Sequence, residues 1–200
     1  QMPYELLPLP IDAKSLHGLS VTLIESHHAN NYGGAVKRLN LIQEQLGKTD
    51  FDQAPGFVLN GLKREELIAY NSMLLHEIYF DGLGGDGVLP SGSLRDAIER
   101  DFGSAARWQS EFIAMGKALG GGSGWVLLVK SPRDGKLSNQ WASDHTQTLA
   151  GGMPILALDM YEHAYHIDFG AKAAVYVETF MKNINWNAIE NRWNQARGHA

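Results

Sequence analysis

The chain has no cysteine, which excludes disulfides, thiolate metal sites, iron–sulfur clusters and cysteine nucleophiles. Histidine, aspartate and glutamate are left as the strong ligands a metal could find. Basic side chains are also scarce, 17 Lys and Arg against 22 Asp and Glu for a net charge of −5. They are too scattered to form a stripe that tracks phosphates, so no nucleic-acid partner is expected. No apolar run reaches membrane-spanning length and no signal peptide opens the chain, so no membrane partner is expected and a cytoplasmic location is the default. Gln1-Met2 can be a trimmed end, which leaves an exported mature form open. Internal repeats and low-complexity tracts are absent as well. What remains is 200 residues with 44% hydrophobic content, ordinary for a protein that buries a full core, and eight histidines that carry more weight where cysteine is missing.

Pro3, Pro8 and Pro10, among Leu6, Leu7 and Leu9, make residues 1–17 an extended arm rather than a helix. A first helix is expected from Ser20 to about Leu46, bent or interrupted where Gly33-Gly34 weaken it. Residues 49–60 read as a loop, and 63–80 as a second helix with Leu67, Leu74, Leu75 and Ile78 as its apolar stripe. The glycine-rich run 81–87 with Pro90 ends that helix and marks a border, dividing the chain into a helical hairpin, 1–88, and a second lobe, 89–200. Ser93 and Ser104 can cap helices over 94–102 and 104–119. The segments 125–129 and 137–143 flank a turn with Pro132 and Asp134-Gly135 and read as an antiparallel hairpin, while 153–159 forms a third strand. Helices are expected again over 171–181 and 186–197. The expected class is therefore α+β, a helical hairpin followed by helices around a three-stranded antiparallel sheet.

The stretch from Met153 to Gly170 organises the rest. Its apolar strand ends in Asp159, and His163 follows four residues later, so a rigid element would deliver a carboxylate and then an imidazole, a donor pair suited to iron, manganese or zinc. Further ligands must come from elsewhere. His76 leaves the second helix within a wall of Met73, Tyr79 and Phe80, and His27 and His28 are the candidates on the first helix.

The string Asp159-Met-Tyr-Glu-His-Ala-Tyr165 closely resembles the D-x-W-E-H-A-Y signature of the iron/manganese superoxide dismutases. Ile24-Glu25-Ser26-His27 matches that family's I-E-x-H first-helix pattern, and its register to Leu39-Asn40 favours His27 over His28. His76 precedes Tyr79 and Phe80 as the family's second ligand precedes its aromatic cluster. Gly122-Ser123-Gly124-Trp125 through Leu128-Val129 matches the family's G-S-G-W-x-x-L-V strand. The resemblance implies the metal ligands His27, His76, Asp159 and His163 around one Fe or Mn ion per subunit. It also implies superoxide as substrate, dioxygen and hydrogen peroxide as products, and an antioxidant role. An outer hydrogen-bond donor falls to His145, with Ser72 and Gln147 as alternatives, and Trp125, Tyr161 and Tyr32 complete the expected surroundings.

Two departures touch substrate access rather than the metal. Asn31 and Ala35 stand where the family usually has a funnel His and Tyr, and Tyr161 replaces the signature Trp. Tyr32 cannot take the funnel direction on a regular helix, although a distortion at Gly33-Gly34 would redirect it. The resemblance further implies a homodimer in which Glu162 reaches the partner's ligand histidine and Tyr165 pairs with Asn31 across the interface. Two competing readings are a non-catalytic metal-binding relative and a different non-haem iron redox enzyme.

Overall fold

The computed structural model describes residues 3–198; Gln1 and Met2, the expected trimmed end, and His199 and Ala200 lie outside the described residues. The arm is extended apart from a short turn, Ala13–Ser15. Ser20 then caps α1 (Val21–Ser26), its hydroxyl accepting from the Leu23 N–H at 3.0 Å and satisfying a donor the first turn leaves free. The helix continues through a π-helical stretch, His27–Tyr32, into α2 (Gly33–Gly47). The interruption expected at the glycine pair therefore lies one turn earlier. A π turn places residues five apart on the same side, and Tyr32 follows His27 by five.

The second helix, α3, runs over Gly56–Asp81, so residues 56–60, expected as loop, are helical. Pro55 starts it: its carbonyl accepts from the N–H groups of Val58 and Leu59, and its own missing N–H costs nothing at a helix start. The inward face holds only half of the expected stripe, Leu75 and Ile78. Leu67 and Leu74 are exposed, whereas Ala69, Ser72, Met73, His76, Tyr79 and Phe80 are buried. Their three- and four-residue spacing defines one face, and that face includes polar side chains because a polar site lies beneath it.

After a glycine-rich connection come α4 (Ser93–Phe102) and α5 (Ala105–Ala118). Ser104 caps α5 through the Arg107 N–H at 3.0 Å, but Ser93 is the first residue of α4 and caps nothing. Three strands follow, β1 (Trp125–Lys130), β2 (Leu137–Ala142) and β3 (Met153–Asp159), antiparallel in the order β2-β1-β3. The central strand is buried on both faces, as α3 packs on β3 and α5 on β1 and β2. The register sets Trp125 opposite Asp159. Beyond a short turn, Glu162–Ala164, lie α6 (His166–Phe169), α7 (Ala173–Met181) and α8 (Trp186–Gly198). The expected helix at 171 thus begins two residues later and is preceded by a single turn.

Both glycine runs permit close backbone approach. A Cβ on Gly85 would stand 2.3 Å from the Ile184 carbonyl oxygen, so the connection after α3 packs directly on the turn between α7 and α8. Gly124, with φ +133°, would carry a Cβ 2.1 Å from the Ala142 carbonyl oxygen, while its own carbonyl accepts from the Met160 N–H. That approach seats Trp125 and the end of β3 side by side. Gly124→Ala should lower stability by about 3 kcal/mol through combined backbone strain and overlap. The urea midpoint of the metal-free variant measures this, and an unshifted midpoint would mean the approach is not required.

Candidate metal centre

Four elements deliver four side chains to one buried point. His27 opens the π-helical stretch, His76 leaves the inward face of α3, Asp159 ends β3, and His163 lies in the short turn after it. One donor atom from each lies within 4.8 Å of the others. The Nε2 atoms of His27, His163 and His76 stand 2.9, 3.0 and 3.4 Å from the same oxygen, Asp159 Oδ2. His27, His76 and Asp159 are buried, and His163 keeps a partly open edge.

The arrangement fits a cation. His76 donates its Nδ1–H to the Ser72 carbonyl at 2.6 Å, so its Nε2 carries a bare lone pair. That lone pair faces a carboxylate oxygen and has no hydrogen-bond partner, and neither does the buried Nδ1 of His27. Two acceptors facing each other in a dry interior are repulsive unless a positive ion lies between them. First-row divalent ions bind nitrogen and oxygen at about 2.1 Å, which sets neighbouring ligands at right angles roughly 3 Å apart, the spacing observed. Three imidazoles and one carboxylate suit iron, manganese or zinc.

Burial alone would push the Asp159 carboxyl up, but the imidazoles of His163 and His27 outweigh it and hold the group well below the usual carboxylate range. Burial pushes His27 down to about 4 against the pull of Asp159. At neutral pH the donors are therefore a carboxylate and a neutral imidazole, the forms that ligate.

The surroundings are aromatic. Trp125 meets His76 edge-on at 5.3 Å and donates its indole N–H to His145 Nδ1 at 3.0 Å. His145 thus carries its own proton on Nε2 and is a donor there. Burial pushes His145 down to about 4, so it stays neutral. Its ring stacks on Tyr161 at 4.6 Å, and Tyr161 stacks on His163 at 5.4 Å. Gln147, an alternative to His145, uses its Oε1 on Ser143, and the Ser72 hydroxyl approaches His76 Nδ1 rather than the donor cluster.

Tyr32 is buried, its ring 6.3 Å from that of His76. Its hydroxyl donates to Glu77 Oε2 at 2.6 Å and accepts from the Leu7 N–H; burial first, then Glu77, raises its pKa, so it remains a phenol. His28 bonds the Leu7 carbonyl through Nε2 and stays out of the cluster. Tyr165 is buried against Tyr176, while Glu162 is exposed and Asn31 half-buried, and neither of these two joins the cluster within the chain.

Some of the surroundings carry no sequence signal. Tyr176 donates to the backbone carbonyl of Asp159 and meets the hydroxyl of Tyr79, both at 2.8 Å. Asn71 anchors the His145 loop through its carbonyl at 2.6 Å. Tyr79 belongs to the expected aromatic wall around His76 and Glu77 stands in the same Leu74–Phe80 string, whereas Tyr176 and Asn71 have no such neighbourhood in the sequence.

Fold and site together define an α+β protein with a buried centre of three histidines and one aspartate that could hold one metal ion. The family model for iron/manganese superoxide dismutases, C-terminal domain, matches residues 90–192. The superoxide dismutase [Fe] of Cupriavidus metallidurans is 66% identical over 192 residues, 96% of this chain and 97% of that protein. The superoxide dismutase [Fe] of Aquifex pyrophilus is 35% identical over 92% of this chain and 88% of its own. The superoxide dismutase [Mn] 2 of Haloferax volcanii is 32% identical over 98% of both chains. The chain belongs to the iron/manganese superoxide dismutase family.

The buried imidazole of His27 makes the metal-free protein acid-sensitive. The unfolded chain holds this proton below about pH 6.5, the folded one only below about 4. Between those values the unfolded state binds more protons, so stability rises with pH and is lost as pH falls. A loss on the order of 3 kcal/mol is expected from pH 7 to pH 4, reaching its full value below the folded pKa. Urea titrations of metal-free protein across that window measure it, and a flat profile contradicts it.

Proposed function

We infer that this chain is a superoxide dismutase that works at a single iron or manganese ion held by His27, His76, Asp159 and His163. The observation that carries the reading is the approach of three imidazole nitrogens to one buried carboxylate oxygen, one of them with an unpaired lone pair. Relatives named for iron and for manganese both cover nearly the whole chain, which supports either metal as cofactor. The chemistry a bound iron or manganese supplies is one-electron transfer in both directions: one superoxide is oxidised to dioxygen, and another takes up two protons and is reduced to hydrogen peroxide.

The chain's own residues set the conditions for that chemistry. His76 is locked in one tautomer by the Ser72 carbonyl. His145 presents an Nε2–H as the outer donor, its ring fixed by Trp125 and Tyr161. Trp125, Tyr161 and Tyr32 set aromatic rings around the ligands, with Trp125 and Tyr32 buried and Tyr161 half-buried beside the open edge of His163. Tyr32, turned inward by the π stretch and bonded to Glu77, stands beside the site where Asn31 and Ala35 offer no funnel His or Tyr. The two lobes, 1–88 and 89–200, each contribute two ligands, so the ion would tie them together. No helix among the described residues is long and apolar enough to cross a membrane, and a cytoplasmic location accords with that.

Loading with iron should raise superoxide decay well above that of the metal-free protein, and His76→Ala should weaken metal binding by more than about 100-fold, beyond the range for an outer-shell partner. A metal-loaded wild type without activity overturns the dismutase reading; a fully metallated His76→Ala protein overturns the ligand set.

The same reading includes a homodimer. Among the described residues, His163 Nδ1 makes no hydrogen bond within its chain, and Glu162 is exposed one residue away. An adjacent carboxylate cannot easily bend back to its neighbour, whereas a two-fold axis lets each Glu162 serve the other subunit's His163 and makes the contact twice. Tyr165 and Asn31 would complete that interface. Glu162→Ala should then weaken the dimer and lower metal affinity about 10- to 100-fold in the same protein. Sedimentation and metal analysis read both, and a fully metallated wild-type monomer excludes the bridge.

A further inference from the structure

The dismutase reading leaves unused a pair of buried phenols behind the metal ligands. Tyr79 lies on α3 three residues after His76, and Tyr176 lies on α7. Both side chains are fully buried. The Tyr176 hydroxyl is 2.8 Å from the Asp159 carbonyl oxygen and 2.8 Å from the Tyr79 hydroxyl. A carbonyl can only accept, so the one Tyr176 proton goes to Asp159, and Tyr79 must donate to Tyr176. The chain of bonds therefore has a single direction, from α3 through α7 to the end of β3. Such a series is cooperative, because the donor at its head polarises the next. Burial, the largest cause in each, raises both phenols' pKa, which keeps both protons in place at neutral pH.

We propose that Tyr176, with Tyr79 behind it, is the positioning residue of Asp159, setting the carboxylate against the three imidazoles. This rests on the reading of Asp159 as a metal ligand. Two constraints act on Asp159 from opposite ends. The Tyr161 N–H holds Oδ1 at 2.9 Å, and Tyr176 holds the peptide carbonyl. Together they fix the Cα–Cβ direction and leave Oδ2 free to face the nitrogens. Tyr79 adds a second contact, its ring 5.1 Å from that of His27, so the pair braces one ligand from each side of the molecule. Neither phenol is within hydrogen-bond reach of a donor atom of the cluster, and both act only through other residues.

The test uses iron-loaded wild type, Tyr176→Phe and Tyr79→Phe. Tyr176→Phe should lose metal to a chelator about 10-fold faster, at the lower end for outer-shell partners. It should also change the rhombicity of the ferric EPR signal, which a purely structural weakening would leave alone. Tyr79→Phe keeps the bond to Asp159 and removes only its polarising donor. It should lose metal about 2- to 5-fold faster, a partial effect expected of a cooperative chain, and it keeps the proposal testable if Tyr176→Phe fails to fold. A Tyr176→Phe protein with wild-type release and EPR, or a Tyr79→Phe protein with an unchanged release rate, overturns the proposal while the dismutase reading stands. A wild type that retains no metal overturns both.

Discussion

The buried carboxylate of Asp159, with three imidazole nitrogens turned on one of its oxygens, is the constraint the rest of the structure serves. A fully desolvated charge is tolerated only when it is paired, and here three ring nitrogens converge on Oδ2, one of them a bare lone pair that calls for a cation between them. Because the four donors come from the first helix, the second helix, the last strand and the turn after it, the charge cannot be satisfied until the chain has folded completely. The site is thus a closing contact for the fold as much as a place for chemistry.

The layer around the donors explains how the three imidazoles stay aimed at one point. Each ring is held by something that does not itself bind metal: His76 by a carbonyl of its own helix, His163 by the face of Tyr161, and His27 by the rings of Tyr79 and Phe80. Tyr161, standing where the signature has tryptophan, still supplies a flat ring on each side, stacking on both His145 and His163. That substitution keeps the shape and alters the polarity at the ring's edge. The loss of the usual funnel residues is answered differently, by a π turn that rotates Tyr32 inward and gives its hydroxyl a carboxylate partner, Glu77.

The α+β class and the strands were legible because each rests on local information, turn glycines and prolines and apolar runs of strand length; the four ligand candidates came from the likeness of Asp159–Tyr165 and Ile24–His27 to family strings, since spacing alone does not separate a ligand from a core histidine or His27 from His28. Boundaries were less legible. Pro55 starts α3 earlier than its inward apolar pattern, since a helix start depends on backbone hydrogen bonds to the Pro55 carbonyl, while Phe57 and Val58 point outward and add nothing to a buried stripe. The stripe on α3 was half legible: Leu75 and Ile78 turn inward as expected, but Leu67 and Leu74 face out because the buried face is shared with Ser72 and His76, drawn inward by the site.

What the amino-acid sequence determined by itself is which side chains are available and on which elements they ride: no thiolates, a carboxylate at a strand end, an imidazole four residues on, two adjacent imidazoles on the first helix and one on the second. Tertiary structure alone decided how they meet. The choice of Tyr32's direction came from a π turn set by packing, because helix propensity does not distinguish four-residue from five-residue bonding over a single turn. The bracing of Asp159 by Tyr176 and Tyr79 joins positions 17 and 97 residues apart, and no periodicity records a contact between helices that are distant in the chain. The available donor types are a local property of the chain, whereas which of them meet, and in what geometry, is set by side chains that reach one another only in the folded protein.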